Sequence, residues 1–167
     1  NPASGRLTCV ELYNGTAYSA GTSKITATNF SAGHGTQTAA FNAGGNTPAS
    51  PGDAIVGTTE IYNEQSTICT TSGCTFPASW STGGSLITAR CDLAGAGAGT
   101  QNTALAAGGN GCKTCTEEYN GSSWTAGGAM IAGRHGLGGA GTQNAGIVFG
   151  GYGSPGTQKD LTEEYNG

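Results

Sequence analysis

One phrase is restated along this chain, and a random solvated coil has no reason to restate anything. The segments "ELYNGTAY" (11–18), "TEIYN" (59–63), "TEEYNGSSW" (116–124) and "TEEYNG" (162–167) align on Tyr13, Tyr62, Tyr119 and Tyr165. Between them "GTQ" recurs at Gly35, Gly99 and Gly141, each time with a glycine pair nine residues on: Gly44-Gly45, Gly108-Gly109 and Gly150-Gly151. Tandem units of this kind bury their apolar faces against the next copy, so the repeat sets the fold before any single residue does. The longest unit owes its length to an insertion, "EQSTICTTSGCTFPAS", between Tyr62 and Trp80. Insertions map to loops of such arrays.

Each unit divides into four short extended segments, exemplified by "TEEYN", "SSWTAGG", the stretch from "AGR" to "GTQN", and "AGIVFGG". Asn-Gly after the tyrosine (Asn14-Gly15, Asn120-Gly121) predicts a two-residue hairpin turn of type I′, whose central positions both need positive φ. The run Ile147-Val148-Phe149, closed by two glycines, predicts a fully buried inner strand. No helical period survives beyond a turn. An all-β domain over 1–167 follows, with modules of about 8–58, 59–115 and 116–161 and a further one starting at 162–167.

The order Met130 to Arg134, a strand ending in Gly150-Gly151, then Tyr165, with Trp124 shortly after Tyr119, resembles the kelch repeat. The wording "GAGTQNAGIVFGG … TEEYNGSSWT" is also similar to glycine-rich kelch-like repeats of structural and fibre proteins of marine bacterial viruses. The resemblance implies four-stranded β-propeller blades, with Gly44, Gly45, Gly108, Gly109, Gly150 and Gly151 near the inner strands. It further implies that Tyr13, Tyr62, Tyr119, Tyr165, Trp80 and Trp124 pack between blades. Asn29 stands where the first module lacks the arginine, and Tyr18 where it lacks the tryptophan. About three modules make an incomplete or shared ring, since propellers close with four to eight blades. Self-association, or assembly with other structural subunits, is the expected consequence.

Six cysteines form an even set of disulfide candidates: Cys9, Cys69, Cys74, Cys91, Cys112 and Cys115. Cys69 and Cys74 bracket a spacing that suits a local loop, and Cys91 is a candidate partner for Cys112 or Cys115 across one blade. The set favours an oxidising setting, either extracellular or on a virion surface. Sequons stand at Asn14, Asn29 and Asn120, two of them on the hairpin turns, where backbone geometry accounts for the asparagine better than glycosylation does.

Nothing here reads as a catalytic or cofactor centre. Adjacent acids such as Glu117-Glu118 and Glu163-Glu164 point to opposite faces of a strand and cannot act together on one bond. Cys112 and Cys115 make at most half a zinc site, and His34 and His135 lie in other modules. No cofactor and no metal are expected. A net charge of −4 with scattered Lys and Arg argues against nucleic acid. No apolar run is long enough to span a bilayer, so membrane insertion is not expected. The chain starts at Asn1 with no charged-then-apolar leader, which suggests that an upstream segment has been removed. These points lead to a non-enzymatic structural or attachment module that presents loops such as 64–79 and 46–53 to a partner. The alternatives are a carbohydrate-binding, lectin-like propeller, with a cell-surface glycan as partner, and a subunit of a self-assembling filament. Tyr152, outside the repeat register, is a further contact candidate.

Overall fold

The computed structural model describes residues 7–49, 52–64, 68–70, 73–75, 78–97, 100–110 and 113–167, with 68–70 and 73–75 described as backbone only. Every regular element among them is a strand. In chain order these are β1 (Glu11–Tyr13), β2 (Tyr18–Ala20), β3 (Ala32–Gly35), β4 (Ala39–Ala43), β5 (Asn46–Ala49), β6 (Gly52–Ile55) and β7 (Thr59–Glu64). There follow β8 (Ile68–Thr70), β9 (Gly73–Thr75), β10 (Ala78–Gly83), β11 (Ala94–Ala96), β12 (Ala104–Ala107), β13 (Thr116–Tyr119) and β14 (Trp124–Ala126). The last are β15 (Arg134–His135), β16 (Gly138–Thr142), β17 (Ala145–Phe149), β18 (Tyr152–Gly153), β19 (Thr157–Gln158) and β20 (Thr162–Tyr165).

Three antiparallel meanders carry the repeat. Sheet I is β3-β4-β7-β10, sheet II is β11-β12-β13-β14, and sheet III is β16-β17-β20. The hairpin β1-β2 precedes them, and β5-β6, β8-β9 and β15-β18-β19 are satellites. The tyrosine strand is therefore the third strand of its sheet, and the hydrogen-bonded units are out of phase with modules drawn from one tyrosine motif to the next. Tyr13 lies opposite Tyr18, Tyr62 opposite Trp80, and Tyr119 opposite Trp124. Their ring centroids are 4.8, 5.3 and 5.0 Å apart. The hairpins form as expected, but the turn differs. Four residues connect Tyr119 to Trp124, and only the glycine has positive φ, 94° at Gly121. The Asn120 side chain accepts from Ser122 N and Ser123 N at 3.0 and 2.9 Å, and Asn14 does the same at its own turn. Asparagine serves by side-chain bonding and leaves the left-handed position to glycine.

Successive sheets meet along their first strands, with β11 beside both β3 and β16. Small residues make that approach possible. A Cβ on Gly139 would stand 2.9 Å from the Gly95 carbonyl oxygen, and one on Gly95 would stand 3.2 Å from the Ala32 Cβ. Between sheets I and II lie Phe41, Ala43, Ala104, Ala106, Tyr119 and Trp124. Trp124 meets Phe41 edge-on, with centroids 6.4 Å apart, and its indole N–H donates to Thr59 Oγ1 at 2.9 Å. Ala107, Met130, Leu137 and Val148 continue this core between sheets II and III.

The recurring phrases are the fasteners of these junctions. Gly45 N donates to the Arg90 carbonyl at 2.8 Å, and Gly109 N to the Arg134 carbonyl at 3.0 Å. At Gly44 and Gly108, φ is +69° and +63°, and an added Cβ would sit 2.5 and 2.6 Å from those same carbonyl oxygens. Glycine is thus required twice over, for conformation and for space. The glutamine of each "GTQ" reaches back to the preceding unit. Gln37 Nε2 bonds the Tyr13 carbonyl, Gln101 Nε2 the Asn63 side chain and Gln143 Nε2 the Tyr119 carbonyl.

Two further expectations are corrected. The strand holding Ile147-Val148-Phe149 is the second of sheet III and not fully buried. Val148 is enclosed, but Phe149 is 45% exposed, because no further sheet covers that face among the described residues. The arginine's slot in the first module belongs to Thr28, since Asn29 pairs with Asn46 as Cys91 does with Asn110.

Candidate functional site

The charged residues that recur are consumed by structure. Glu60, Glu117 and Glu163 occupy one position of the third strand, and each carboxylate caps the loop leading into its own sheet. Glu60 accepts from Ile25 N and Thr26 N at 3.0 and 2.8 Å. Glu117 accepts from Ile87 N and Thr88 N at 2.7 and 3.2 Å, and Glu163 from Ile131 N and Ala132 N at 2.6 and 3.1 Å. Arg90, wholly enclosed, pairs with Glu117 at 2.9 Å, and Arg134 pairs with Glu163 at 2.7 Å. Burial lowers the pKa of Arg90, and the Glu117 carboxylate opposes that shift. In the first module a lysine comes from another slot of the loop, where the later modules carry Leu86 and Met130. Lys24 Nζ donates to Thr28 Oγ1 at 2.7 Å and to Asn42 Oδ1 at 3.0 Å. Burial lowers its pKa, while Glu60 raises it. The neighbouring acid Glu118 faces the next sheet and bonds the Tyr165 hydroxyl. Glu117 and Glu118 thus serve separate contacts, as strand alternation requires.

Equivalent positions at one end of the sheets carry unlike residues. One slot holds Asn29, Cys91 and His135, the next Phe30, Asp92 and Gly136, and the strand or bridge opposite the first holds Asn46, Asn110 and Tyr152. These residues are strung together, since Asp92 N donates to the Phe30 carbonyl at 2.8 Å and Gly136 N to the Asp92 carbonyl at 2.7 Å. All three are left-handed, with φ of 54°, 55° and 62°. Two of them are not glycine and carry a conformational cost of about 1–2 kcal/mol each. Phe30 is 60% exposed, so apolar burial does not repay its strain. Asp92 Oδ2 accepts from Asn110 Nδ2 at 2.9 Å and lies 3.9 Å from Cys91 Sγ. Tyr152 is exposed and lies against His135 with ring centroids 5.9 Å apart. Burial, and then the Asp92 charge, push the Cys91 thiol up, which keeps it protonated and a poor nucleophile.

A concavity of about 650 Å³ opens between the β1-β2 hairpin and sheet I, bordered by Tyr13, Lys24, His34, Phe41, Tyr62 and Trp80. Of its aromatic groups, Phe41 and Tyr62 are buried in the sheet, and Trp80 is committed through its indole N–H to the Thr22 carbonyl at 2.9 Å.

The sequence-derived residues distribute as follows. Tyr119 and Tyr165 do lie between sheets, with their hydroxyls against Gly83-Gly84 and Gly127-Gly128 of the preceding one. Cys9 and Cys91 carry free thiols, which removes both from the disulfide candidates. Cys91 is turned to Asn46, Asn110 and Asp92, and Cys9 lies exposed ahead of β1. In the backbone Cys69 stands opposite Cys74 on β8 and β9, but their side chains, and Cys112, lie outside the described residues. Cys115 is disulfide-bonded, and its carbonyl accepts from Arg90 Nη1 at 2.8 Å. Asn14 and Asn120 are exposed at their turns, and Asn29 is partly buried beside Asn46. The two segments expected to be presented to a partner, 46–53 and 64–79, fall on β5-β6 and around β8-β9, the second in part outside the described residues. β5-β6 connects β4 to β7 and β8-β9 lies between β7 and β10, so they leave sheet I at opposite ends. Among the described residues no group of His, Cys, Asp and Glu is placed to hold a metal ion. No helix is long and apolar enough to cross a membrane. Sequence reasoning missed Phe30, Asp92 and Lys24, because their roles appear only once repeat positions are superposed.

No family model matches the chain, and no curated protein matches it. Among solved structures, the one titled "Structure of YjhT" has a TM-score of 0.63 at 14% identity, over 87% of this chain. The match spans 45% of that structure, so this chain corresponds to about half its length. The likeness is one of fold.

Proposed function

We propose that this chain is a non-enzymatic scaffold of kelch-like propeller blades that presents one end of the array to a partner. The observation that carries the reading is the split between repeated and unrepeated slots. Where the repeat restates Glu, Gln, Gly-Gly and Tyr, those groups bond strand to loop and sheet to sheet. Where it does not, at Asn29/Cys91/His135 and Phe30/Asp92/Gly136, the side chains crowd one end and two of them hold strained backbone. Strain retained against its cost is a pointer to a contact surface. The contact of β11 with β3 and β16 supports the propeller arrangement. The setting we propose, outside a cell or on a virion, carries over from the low charge and the six cysteines.

A lectin-like role is the second reading, favoured by the aromatic-bordered concavity beside β1. A glycan array separates the two. The scaffold reading expects no saturable sugar binding; saturable binding lost in Trp80→Ala would transfer the function to that concavity. A hydrolase or oxidase activity abolished by Glu118→Gln or His135→Ala would overturn both.

A further inference from the structure

We infer that the folded chain crosslinks itself, by an amide bond between Lys24 Nζ and the side-chain carbonyl carbon Cγ of Asn42, formed with loss of ammonia. The inference goes beyond the scaffold reading, because it concerns the interior of sheet I and needs no partner. Two core positions have changed together there. Lys24 stands where the later modules carry Leu86 and Met130. Asn42, directly opposite Glu60, stands where Ala106 faces Glu117 and Val148 faces Glu163. All four counterparts are buried and apolar. A countercharge for Glu60 accounts for the lysine; it does not call for a carboxamide against it.

The groups are held within reach of one another. Lys24 Nζ lies 3.0 Å from Asn42 Oδ1, and one carbonyl bond further puts Cγ within about 4.2 Å of the amine. A small rotation of the lysine closes that gap to an attack distance of about 3–3.5 Å. The carboxamide is fixed from its other end, where Nδ2 donates to Ser31 Oγ at 2.8 Å and to the Ala32 carbonyl at 3.3 Å. The loop is pinned as well, with Lys24 N on the Thr8 carbonyl at 2.9 Å and the next two amides on Glu60. Burial lowers the Lys24 pKa, which favours the neutral amine, and the Glu60 charge opposes that shift. In the step itself, neutral Nζ attacks Cγ and the carbonyl electron pair moves onto Oδ1. The Thr28 hydroxyl, 3.4 Å from Oδ1, is placed to steady that charge. Glu60, enclosed on the strand beside Asn42, takes a proton from Nζ and hands it to Nδ2. The Cγ–Nδ2 bond then breaks, ammonia leaves, and nothing is oxidised or reduced.

Intact-mass spectrometry of the whole chain, followed over time after folding, is the test. The folded chain should become lighter by one ammonia, and chain kept unfolded in urea should not. After reduction, trypsin should release 7–24 and 25–90 as one branched piece, with Lys24 joined to Asn42. Lys24→Met and Asn42→Ala, which install the residues of Met130 and Ala106 and so suit the fold, should each keep the full mass and be cut after position 24 only where lysine remains. Glu60→Gln should slow the loss on the order of a hundredfold. A folded wild-type chain that keeps its full mass overturns the inference. So does ammonia loss that persists in Lys24→Met, which places it at the Asn-Gly turns, or a rate unchanged in Glu60→Gln. Urea titrations at Glu60 and Lys24 read the non-covalent contacts in the unreacted chain, which its mass identifies.

Discussion

Sheets I and II solve one problem with different residues. Both must tether the loop that enters the first strand, and both do so with a glutamate on the third strand, Glu60 or Glu117. In sheet II the countercharge is Arg90, fully enclosed, with Nη1 also donating to the Gly108 and Cys115 carbonyls. In sheet I it is Lys24, half-buried, working through Thr28 and Asn42. The acceptor position is fixed because backbone N–H groups need it; the cation's position is free because charge is felt over several ångströms. In this fold, therefore, the recurring carboxylate defines the module better than the recurring arginine does.

The largest expected effect is at Glu117. Glu117→Ala leaves Arg90 buried without its partner and should cost about 3–5 kcal/mol in a urea titration. A loss below about 1 kcal/mol would mean that the pair is not enclosed. The junction glycines come next. Gly108→Ala meets both a left-handed φ and the Arg134 carbonyl and should cost about 3 kcal/mol, whereas Gly150→Ala meets strain alone and should cost about 1 kcal/mol. Equal losses would show that the next sheet does not press on Gly108. Glu60→Ala should cost about 1–3 kcal/mol, less than its counterpart, because the Lys24 ammonium can turn toward water. Moving the cation to its usual slot, with Lys24→Met and Thr28→Arg together, should raise stability by about 1 kcal/mol. Failure of that graft would show that the two sheets are not equivalent.

The smallest effect at neutral pH is Tyr119→Phe, within about 1 kcal/mol, since the hydroxyl is enclosed and accepts no strong bond. Its signature is alkaline. Burial raises the Tyr119 pKa above its ordinary value of 10.0, so the folded chain keeps a proton that the unfolded chain releases. That stability is whole below about pH 10 and is lost as pH rises through the folded pKa. The phenylalanine variant should fall less steeply above pH 10 in denaturant melts.

Much of this was legible in the letters. The hairpins at Asn14 and Asn120 and the all-β class followed from turn chemistry and the tyrosine repeat. The role of the "GTQ" glutamine was visible only as recurrence, since its bond is made to another unit. The phase of the sheets was not legible, because strands adjacent in sequence pair on both sides of a tyrosine strand. Lys24 was hidden for a related reason. It replaces an arginine four residues away, a compensation that no linear alignment of the "AGR" phrase can find. Phe30 and Asp92 stand out once the repeat positions are superposed and their left-handed φ is seen.

The central claim is that consecutive sheets are locked by the glycine pairs, whose amides bond the arginine carbonyls of the next sheet. Amide hydrogen exchange at Gly45 and Gly109 tests it most directly. Both should be protected to within about tenfold of the strand amides of Phe41 and Leu105, although neither glycine lies in a strand. Exchange as fast as at the exposed turn amide of Thr16 would contradict it.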